Sequence, residues 1–551
     1  MSEEKKDVDI EIFPFLKRNW KWILLLIILV FAFYLRIYHV DYPVVGYHNW
    51  KETHYLTEAR NFADDGFFAN GFFIPAWNYP IVGDDPSGAH ADSFPMISVI
   101  VGFLYMIFGE SLAIARVVNI LFMLGAILML YLFTKELTKR EDMAFTVAAL
   151  AAILPLFIFF GRQMQLVNPA LFFMVGAGYF YLKWRKNINF KNSILVSVFL
   201  ALTFLTKYDF FFIFLPILLT FPYKKVFKKT FIKENKKSVF WSFLILLTIP
   251  LWLIYTKIVS ERLKGQLFAD ALDFGAMFKE GWWDMVWLFI NDSITHLGFY
   301  FMICGLIIVL LFLRRRKTHV FLRAMIYSSP VWIIVASGYL KGHVYHQYPI
   351  APLMLLLIAY LFVFVGVNIE KFVKIKYTRI IVILIFLIIL YFPAMEAKDR
   401  MFNTQFVGLD IAGEYIKEHS AEDERLVFPS HQSYGILWHA DRMGYGKGWS
   451  KDLDTFKKIE DEDNVRWVFV YQWGMDLFEK EELWEYISET YSLKQIAFMQ
   501  NGEQVQPIYF LLEKGGSFDL NNINNIVQNK EMKTRDYEYS FGVQRISYIN
   551  V

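Results

Sequence analysis

The segment His48 to Arg60 reads HNWKETHYLTEAR. Wound as an α-helix, it sets Lys51, Tyr55 and Glu58 on one face, with Glu52 beside them and His48 and Trp50 at its start. A carboxylate next to a lysine, a histidine and an aromatic ring is a set that moves protons, the carboxylate as acid or base and the cation as its electrostatic partner. A solvated helix lying at a membrane surface would show the same charge spacing, so the position of the segment has to decide. Other ionisable groups stand at the ends of apolar runs. Arg162 and Gln165 precede Asn168-Pro169, Lys207 separates ALTFLT from YDFFFIFL, and KGHVYHQYPIAP carries His343, Tyr345 and His346. Titratable residues at such borders are functional by default, although the stem of Lys341 is long enough to snorkel. Asp84, Asp85 and Asp92, with His90 among them, could be read as a metal site, since the carboxylates offer oxygens of the kind a hard cation takes. Their order, GDDPSG then AHAD, follows no ligand spacing and reads as a polar, turn-rich loop. The single cysteine, Cys304, excludes an intramolecular disulfide and any CxxC redox or metal pair.

These groups sit in a chain of 551 residues that is 56% hydrophobic and 19% aromatic but only 20% charged. A water-soluble enzyme needs more charge than that for its surface, so the composition is that of a membrane protein. A net charge of +3 from 56 basic and 53 acidic residues excludes a polyelectrolyte built to neutralise nucleic-acid phosphates. The first candidate span is Trp20–Ile37, which follows Lys17 and Arg18 and, having a long apolar run and no small-residue cleavage site after it, reads as an anchor and not as a signal peptide. Further apolar runs are Leu112–Thr134, Met143–Phe160, Val167–Trp184, Ile194–Pro222, Phe240–Lys257, Phe299–Leu313, Ala324–Leu340, Ile350–Val367 and Ile380–Phe392.

Basic residues between the runs form tight groups, among them Lys135, Lys139 and Arg140; Lys183, Arg185 and Lys186; Lys224 to Lys229; Arg314 to Lys317; and Lys371 to Arg379. The positive-inside bias puts all of them in the cytoplasm. Since both ends of Ile194–Pro222 carry such groups, that run must leave and return as two short helices turning at Lys207-Tyr208-Asp209. Each half is roughly 20 Å long, so the turn lies below the outer surface, where a charge is tolerated only in a protein cavity. The expected fold class is an α-helical polytopic membrane protein of about eleven spans, N-terminus cytoplasmic, with a soluble α/β domain at its C-terminus. The expected membrane domain covers residues 1–394. Its large first outer loop, 38–111, contains Met96–Phe108, too short to span and read as a helix on the outer interface. Residues 395–551 form the extracytoplasmic domain, in which the helix-like GLDIAGEYIKEHS, DLDTFKKIEDE and KEELWEYISETY alternate with the strand-like RLVFPS, VRWVFVYQ and PIYFLLEK.

Taken in order, HNWKETHYLTEARNF, SFPMISVIVGFLYMIFGESLAIARVVNILF, ALTFLTKYDFFFIFLPILL and YHQYPIAPLMLLL resemble glycosyltransferases of the GT-C fold. The branch they resemble holds the protein O-mannosyltransferases and the aminoarabinose transferase of lipid A, glycosyltransferase family 39. The resemblance covers Tyr34 to about Ala394. It implies transfer of a sugar from a polyprenyl (dolichyl or undecaprenyl) monophosphate to an acceptor hydroxyl on the outer face, with inversion. In that family an acidic pair followed by a Tyr and an Arg supplies the base. KETHYLTEAR matches it with Glu52 as the catalytic carboxylate, Tyr55 and Arg60, while Lys51 stands where the first carboxylate is usual. Trp282-Trp283-Asp284 is similar to the WWDYG signature of oligosaccharyltransferases, but it continues with Met285 and lies between spans, as an aromatic belt would.

Under this reading Lys207, Arg162, His343 and His346 bind the donor phosphate, and His48, Trp50, Lys51, Tyr55, Arg60 and Tyr345 line the substrate site. A monophosphate leaving group needs a divalent metal less than a diphosphate does, so no cofactor is expected, with Asp84, Asp85 and Asp92 the candidates should a metal bind. The partners implied are the lipid-linked sugar, a protein, glycan or lipid acceptor, and membrane lipids. The Lys-, Ile- and Phe-rich, Cys-poor composition suits a prokaryotic plasma membrane. The rival class is a lipid or solute transporter or flippase, which would place its charges at the bilayer midplane within repeated halves.

Overall fold

The computed structural model describes residues 12–80, 88–263, 275–312, 319–446, 448–501, 504–528 and 530–551. Asp84, Asp85 and the group Arg314 to Lys317 lie outside them. Helix α1 (Ile12–Ile37) leads through a short turn to α2 (Asn49–Asp65), and α3 (Met96–Phe108) precedes the long α4 (Leu112–Thr138). Helices α5 (Glu141–Ile153) and α6 (Pro155–Arg162) form one bent element, followed by α7 (Val167–Lys186) and α8 (Phe190–Thr206). After Lys207 a 3-10 turn, Tyr208–Ile213, runs into α9 (Phe214–Thr220). The short α10 (Tyr223–Val226) and α11 (Lys229–Glu234) lead to α12 (Lys236–Leu263). Then come α13 (Trp282–Ile294), α14 (His296–Phe312), α15 (Val320–Val335), α16 (Ser337–Gly342), α17 (Ala351–Val373) and α18 (Thr378–Asn403).

Among the described residues α1, α4, α12, α17 and α18 are each long and apolar enough to cross a membrane. The pairs α5–α6, bent by 58°, and α13–α14, bent by 89°, pass the same test together. The run Ile194–Pro222 divides at Lys207 into two short apolar helices, the break that the flanking lysines require. Helix α3 turns Phe103, Met106, Ile107 and Phe108 to its exposed side, each more than half exposed. Its other side meets α2 so closely that a methyl on Gly102 would stand 2.9 Å from the Ala59 carbonyl.

The α5–α6 bend has a local cause. Pro155 has no N–H for the Ala151 carbonyl, and a free carbonyl in hydrocarbon is costly. Arg36 of α1, wholly buried, supplies the donors: Nη2 to Ala151 O at 2.9 Å, Nη1 to Ala152 O at 3.3 Å and Nε to Phe157 O at 2.9 Å. Gly161 leaves room for the guanidinium, since a methyl there would stand 2.9 Å from Nε.

Helix α18 runs through position 394 to Asn403, and the sheet domain begins at α19 (Leu409–His419). Its strands are β1 (Arg425–Phe428), β2 (Gly444–Gly446), β3 (Val465–Tyr471), β4 (Tyr491–Asn501), β5 (Gln504–Lys514), β6 (Met532–Tyr539) and β7 (Gly542–Asn550). They make one mixed seven-stranded sheet in the order β2-β1-β3-β5-β4-β7-β6, with β2, β1 and β3 parallel and every other pairing antiparallel. Both faces are covered. Trp467, Phe469 and Tyr471 of β3 pack with α19 and α20 (Gly435–Ala440), while Val468 and Val470 pack with α21 (Leu453–Glu462) and α22 (Glu481–Thr490). That two-sided burial gives β3 its nearly unbroken apolar sequence.

The segment between α1 and α4 is clamped to this domain. Phe406 N donates to Val45 O at 2.6 Å, Gly444 N on the sheet edge donates to Asn78 O at 2.8 Å, and Arg60 pairs with Asp441 at 2.5 Å.

Candidate active site

Helix α2 is not a solvated interfacial helix: every residue from Glu52 to Arg60 is buried. Its interior position turns the side chains singled out by spacing into cavity walls. Lys51, His54, Tyr55 and Glu58 line one side of a small open-sided cavity. Pro75, Trp77, His90, Asp92 and Ser93 of the outer loop and Lys207 from the break after α8 complete it.

Two carboxylates face this cavity in different states. Glu58 is saturated: Trp77 Nε1 donates to Oε1 at 2.9 Å, Ser98 Oγ to Oε2 at 2.6 Å, and His54 Nε2 stands 3.0 Å from Oε1. Burial, then the charge of Lys51, pushes the His54 pKa well down, so the ring is neutral, donating to Glu58 and accepting from the Tyr79 hydroxyl at Nδ1. Asp92 differs. Its Oδ1 is buried and has no hydrogen-bond partner among the described residues. Its backbone is pinned, because its carbonyl accepts from Tyr208 Oη at 3.0 Å and Trp252 Nε1 at 2.9 Å. Burial raises the Asp92 pKa against the pull of Lys207 and Lys51. Burial and the charge of Lys207 in turn bring Lys51 down to about 8. The ammonium of Lys51 lies over the rings of Trp50, at 5.0 Å, and Tyr55, at 5.2 Å.

Lys207 Nζ is 3.3 Å from Asp209 Oδ2, which His346 Nδ1 also approaches at 3.0 Å. Beside them His343 packs against Tyr345, His48 and Trp50, with ring centres 5.1, 4.9 and 5.4 Å apart. The structure thus gathers Lys51, Tyr55, Asp92 and Lys207 in one cavity, with His48, Trp50, His343, Tyr345 and His346 in an aromatic wall next to it.

Three expected site residues stand elsewhere. Glu52 is locked by Arg116, whose Nε and Nη2 donate to its two oxygens at 2.8 and 3.0 Å, and it does not line the cavity. Burial opposes charge on Glu52, yet the guanidinium holds its carboxyl below the usual range. Arg162 donates to the carbonyls of Tyr38 and His39 at 2.9 and 3.0 Å and lies over the Phe402 ring. Arg60 binds Glu110 and Asp441, joining the outer loop to the sheet domain. Neither arginine lines the cavity: Arg162 donates through Nη1 while its Nε is buried without a partner among the described residues, and Arg60 is held by carboxylates. His54, Trp77 and Ser98, which support Glu58, were not singled out by sequence, though His54 and Glu58 stand four apart on one helix face. Among the described residues no three His, Cys, Asp or Glu side chains are grouped to hold a metal ion. Trp282 is not a surface belt residue, since it is buried and donates to Ser337 O at 2.8 Å.

Residues 89–255, a stretch that includes Asp92 and Lys207, match the sequence profile of a family described as dolichyl-phosphate-mannose-protein mannosyltransferase. A search of curated proteins finds no match. Among solved structures, the oligosaccharyltransferase of Archaeoglobus fulgidus, in complex with Zn and sulfate, aligns with a TM-score of 0.56 and 14% identity over 88% of this chain and 73% of that one. ArnT from Cupriavidus metallidurans in the apo state aligns at 0.55 and 11% identity, over 90% of this chain and 98% of that one. The same enzyme bound to undecaprenyl phosphate aligns at 0.54. The chain has the GT-C fold. In this GT-C protein the cavity is formed mainly by the segment between α1 and α4 and the break after α8, and the sheet domain meets that segment through Tyr434, whose ring lies 4.8 Å from that of Tyr79.

Proposed function

We propose that this GT-C protein is a glycosyltransferase that moves a sugar from a polyprenyl monophosphate to an acceptor hydroxyl at the extracytoplasmic face of a prokaryotic plasma membrane, inverting the anomeric centre. The observation that carries this reading is the free, buried carboxylate oxygen of Asp92 in one cavity with two lysines. Asp92 takes the proton of the acceptor hydroxyl, whose oxygen forms the new bond to the anomeric carbon as the bond from that carbon to the phosphate oxygen breaks. Polyprenyl phosphate leaves with one more negative charge than it carried in the donor. Lys207 and Lys51 neutralise that charge as it develops, and a lysine near 8 recovers its proton affinity once an anion stands beside it.

The role assigned by pattern to Glu52 passes to Asp92, because a carboxylate held in two charge-assisted hydrogen bonds is a poor proton acceptor. The donor phosphate falls to Lys207 and Lys51, with His346 steadying Asp209 behind Lys207. An apolar groove of about 1020 Å³, lined by Trp282, Val286, Ile290, Phe299, Leu306 and Leu357, suits a prenyl tail. Gln347, in the same lining, follows His346, whose Nδ1 stands 3.0 Å from Asp209 Oδ2. ArnT, of the same fold, has been captured with undecaprenyl phosphate, the kind of product this reaction releases. The orientation rests on the lysine groups at the far ends of the helices, and the reaction as written uses no metal.

The test is to incubate purified protein with a panel of polyprenyl-phosphate sugars, with and without EDTA, and to follow release of the lipid phosphate. Release from one donor, unchanged by EDTA, is the expected result. No release from any donor in the presence of acceptor extracts, with transbilayer movement of a labelled lipid instead, would make the chain a transporter.

A further inference from the structure

From the end of α9 into the start of α12 the sequence YKKVFKKTFIKENKK carries seven lysines, at 224, 225, 228, 229, 233, 236 and 237, against the single acid Glu234. All seven are exposed, and among the described residues none is held in an ion pair. Exposed apolar side chains are interleaved with them: Phe227 is 70% exposed, and Ile232, Phe240 and Trp241 also face outward. Lysines alternating with exposed aromatic and aliphatic groups at the end of a spanning helix mark the headgroup level of a bilayer.

The remaining residues of the same segment turn inward. Val226, Phe231 and Asn235 are half-buried and Ser238 is buried, and all four line an open-sided cavity of about 780 Å³. Trp184 and Tyr181 of α7, Leu200 of α8, Ile217 of α9 and Leu246 of α12 form its depth. Several polar residues in the lining keep their polarity to themselves. Ser193 Oγ donates to Asn189 O at 2.9 Å and accepts from Trp184 Nε1 at 3.0 Å. Ser197 Oγ donates to Ser193 O at 3.0 Å, and Asn235 Nδ2 to Phe231 O at 3.0 Å. The wall offered to an occupant is therefore largely hydrocarbon, beneath a rim of unpaired positive charge. Ser197 and Lys207 lie on one helical run at about 1.5 Å per residue, so the cavity centre is some 15 Å along α8 from the Asp92 cavity, toward the opposite face.

We propose that this cavity binds an anionic glycerophospholipid of the cytoplasmic leaflet, one acyl chain in the pocket and the phosphate among the lysines. Charge complementarity selects the anionic headgroup: a zwitterionic lipid would bring a choline or ethanolamine cation against seven ammonium groups. The apolar depth selects a lipid over a soluble phosphate, because the hydrocarbon wall is buried only when a chain fills it. The site is independent of the reaction proposed above, and its test needs no turnover.

Full-length protein in dodecyl maltoside would be titrated separately with dioleoylphosphatidylglycerol, dioleoylphosphatidylcholine, undecaprenyl phosphate and glycerol 3-phosphate, with retained ligand read by native mass spectrometry. Saturable retention of phosphatidylglycerol, at least tenfold tighter than phosphatidylcholine, is expected. The quadruple variant K224Q/K225Q/K228Q/K229Q should bring the two lipids to the same weak level. Ser197→Phe, which fills the cavity, should lose phosphatidylglycerol; if that variant elutes as aggregate, Val239→Trp fills the same space from α12. Equal retention of the two lipids overturns the proposal, as does wild-type retention by the quadruple or cavity-filled variant. Glycerol 3-phosphate binding as tightly as the lipid would show that the cavity plays no part. Preferential retention of undecaprenyl phosphate would assign the pocket to a prenyl chain instead.

Discussion

Glu52 and Arg116 face each other through two parallel hydrogen bonds of 2.8 and 3.0 Å, and neither side chain is more than 2% exposed. The same guanidinium also donates to the carbonyls of His39, Val40 and Tyr42, at 2.9, 3.3 and 2.6 Å, so the pair ties α2 and α4 to the turn after α1. Replacing one member of such a pair leaves the other charged and buried, at a cost of about 3–5 kcal/mol. Glu52→Gln is therefore expected to lower the unfolding temperature in detergent markedly, with residual activity tracking the folded fraction. A Glu52→Gln protein that melts like wild type and turns over about a hundredfold more slowly would return the base to Glu52.

Asp92→Asn should behave in the opposite way. It removes a carboxylate with an unpartnered buried oxygen, so stability is expected to hold or rise while turnover falls by about two orders of magnitude or more, the usual contribution of a positioned base. Donor affinity should change little, because the lysines remain. Turnover within a few-fold of wild type would exclude Asp92 as the proton acceptor.

The pH profile follows from the same two groups. Asp92 acts deprotonated, so kcat/KM should fall as pH drops through its raised pKa, above the usual aspartate range. Lys51 acts charged, so kcat/KM should also fall as pH rises past about 8. Bound donor restores the lysine's proton affinity, which moves the alkaline limb of kcat above that of kcat/KM. Lys51→Arg, with a guanidinium that keeps its proton, should remove the alkaline limb and leave the acid limb in place. An alkaline limb unchanged in Lys51→Arg would assign it to another group.

Arg36 gives a structural counterpart. Arg36→Leu keeps an apolar stem but leaves the Ala151 and Ala152 carbonyls without donors at the α5–α6 bend, each worth about 1–3 kcal/mol when buried. A large drop in unfolding temperature is expected, partly recovered in Arg36→Leu/Pro155→Ala, where the helix regains an N–H for Ala151. Equal melting of Arg36→Leu and wild type would mean that the bend satisfies its carbonyls in another way.

What sequence made legible was what charge and periodicity control. The break at Lys207 follows from lysines on both sides of one apolar run, and α3, α19, α21 and α22 follow from apolar spacing. Strands β4, β6 and β7 escaped: β4 starts at the residue after α22 with no turn signal, and the solvent-facing β6 and β7 alternate polar residues as a loop would. In the site, Lys51, Tyr55 and Glu58 were legible as one helix face. The state of each carboxylate was not, because it depends on partners far away in the chain, Arg116 for Glu52 and Trp77 and Ser98 for Glu58. The resemblance gave the base to Glu52 on residue type and order alone, whereas its two hydrogen bonds from Arg116 are a tertiary contact.

Lys207 carries both kinds of demand at once. Its ammonium lines the cavity and also stands 3.3 Å from Asp209 Oδ2, an oxygen shared with His346. Lys207→Met should therefore do two separable things: lower stability, by leaving the buried Asp209 with His346 alone, and lower donor binding and turnover, by removing a cation from the phosphate site. The double variant Lys207→Met/Asp209→Asn separates them. With the carboxylate charge gone the unfolding temperature should return toward wild type, while turnover should stay down by about tenfold or more, since a phosphate gaining charge has lost a charged donor. Binding of undecaprenyl phosphate, measured directly, should weaken in both variants. If the double variant recovers turnover together with stability, Lys207 serves only to neutralise Asp209, and the phosphate contact falls to Lys51 alone.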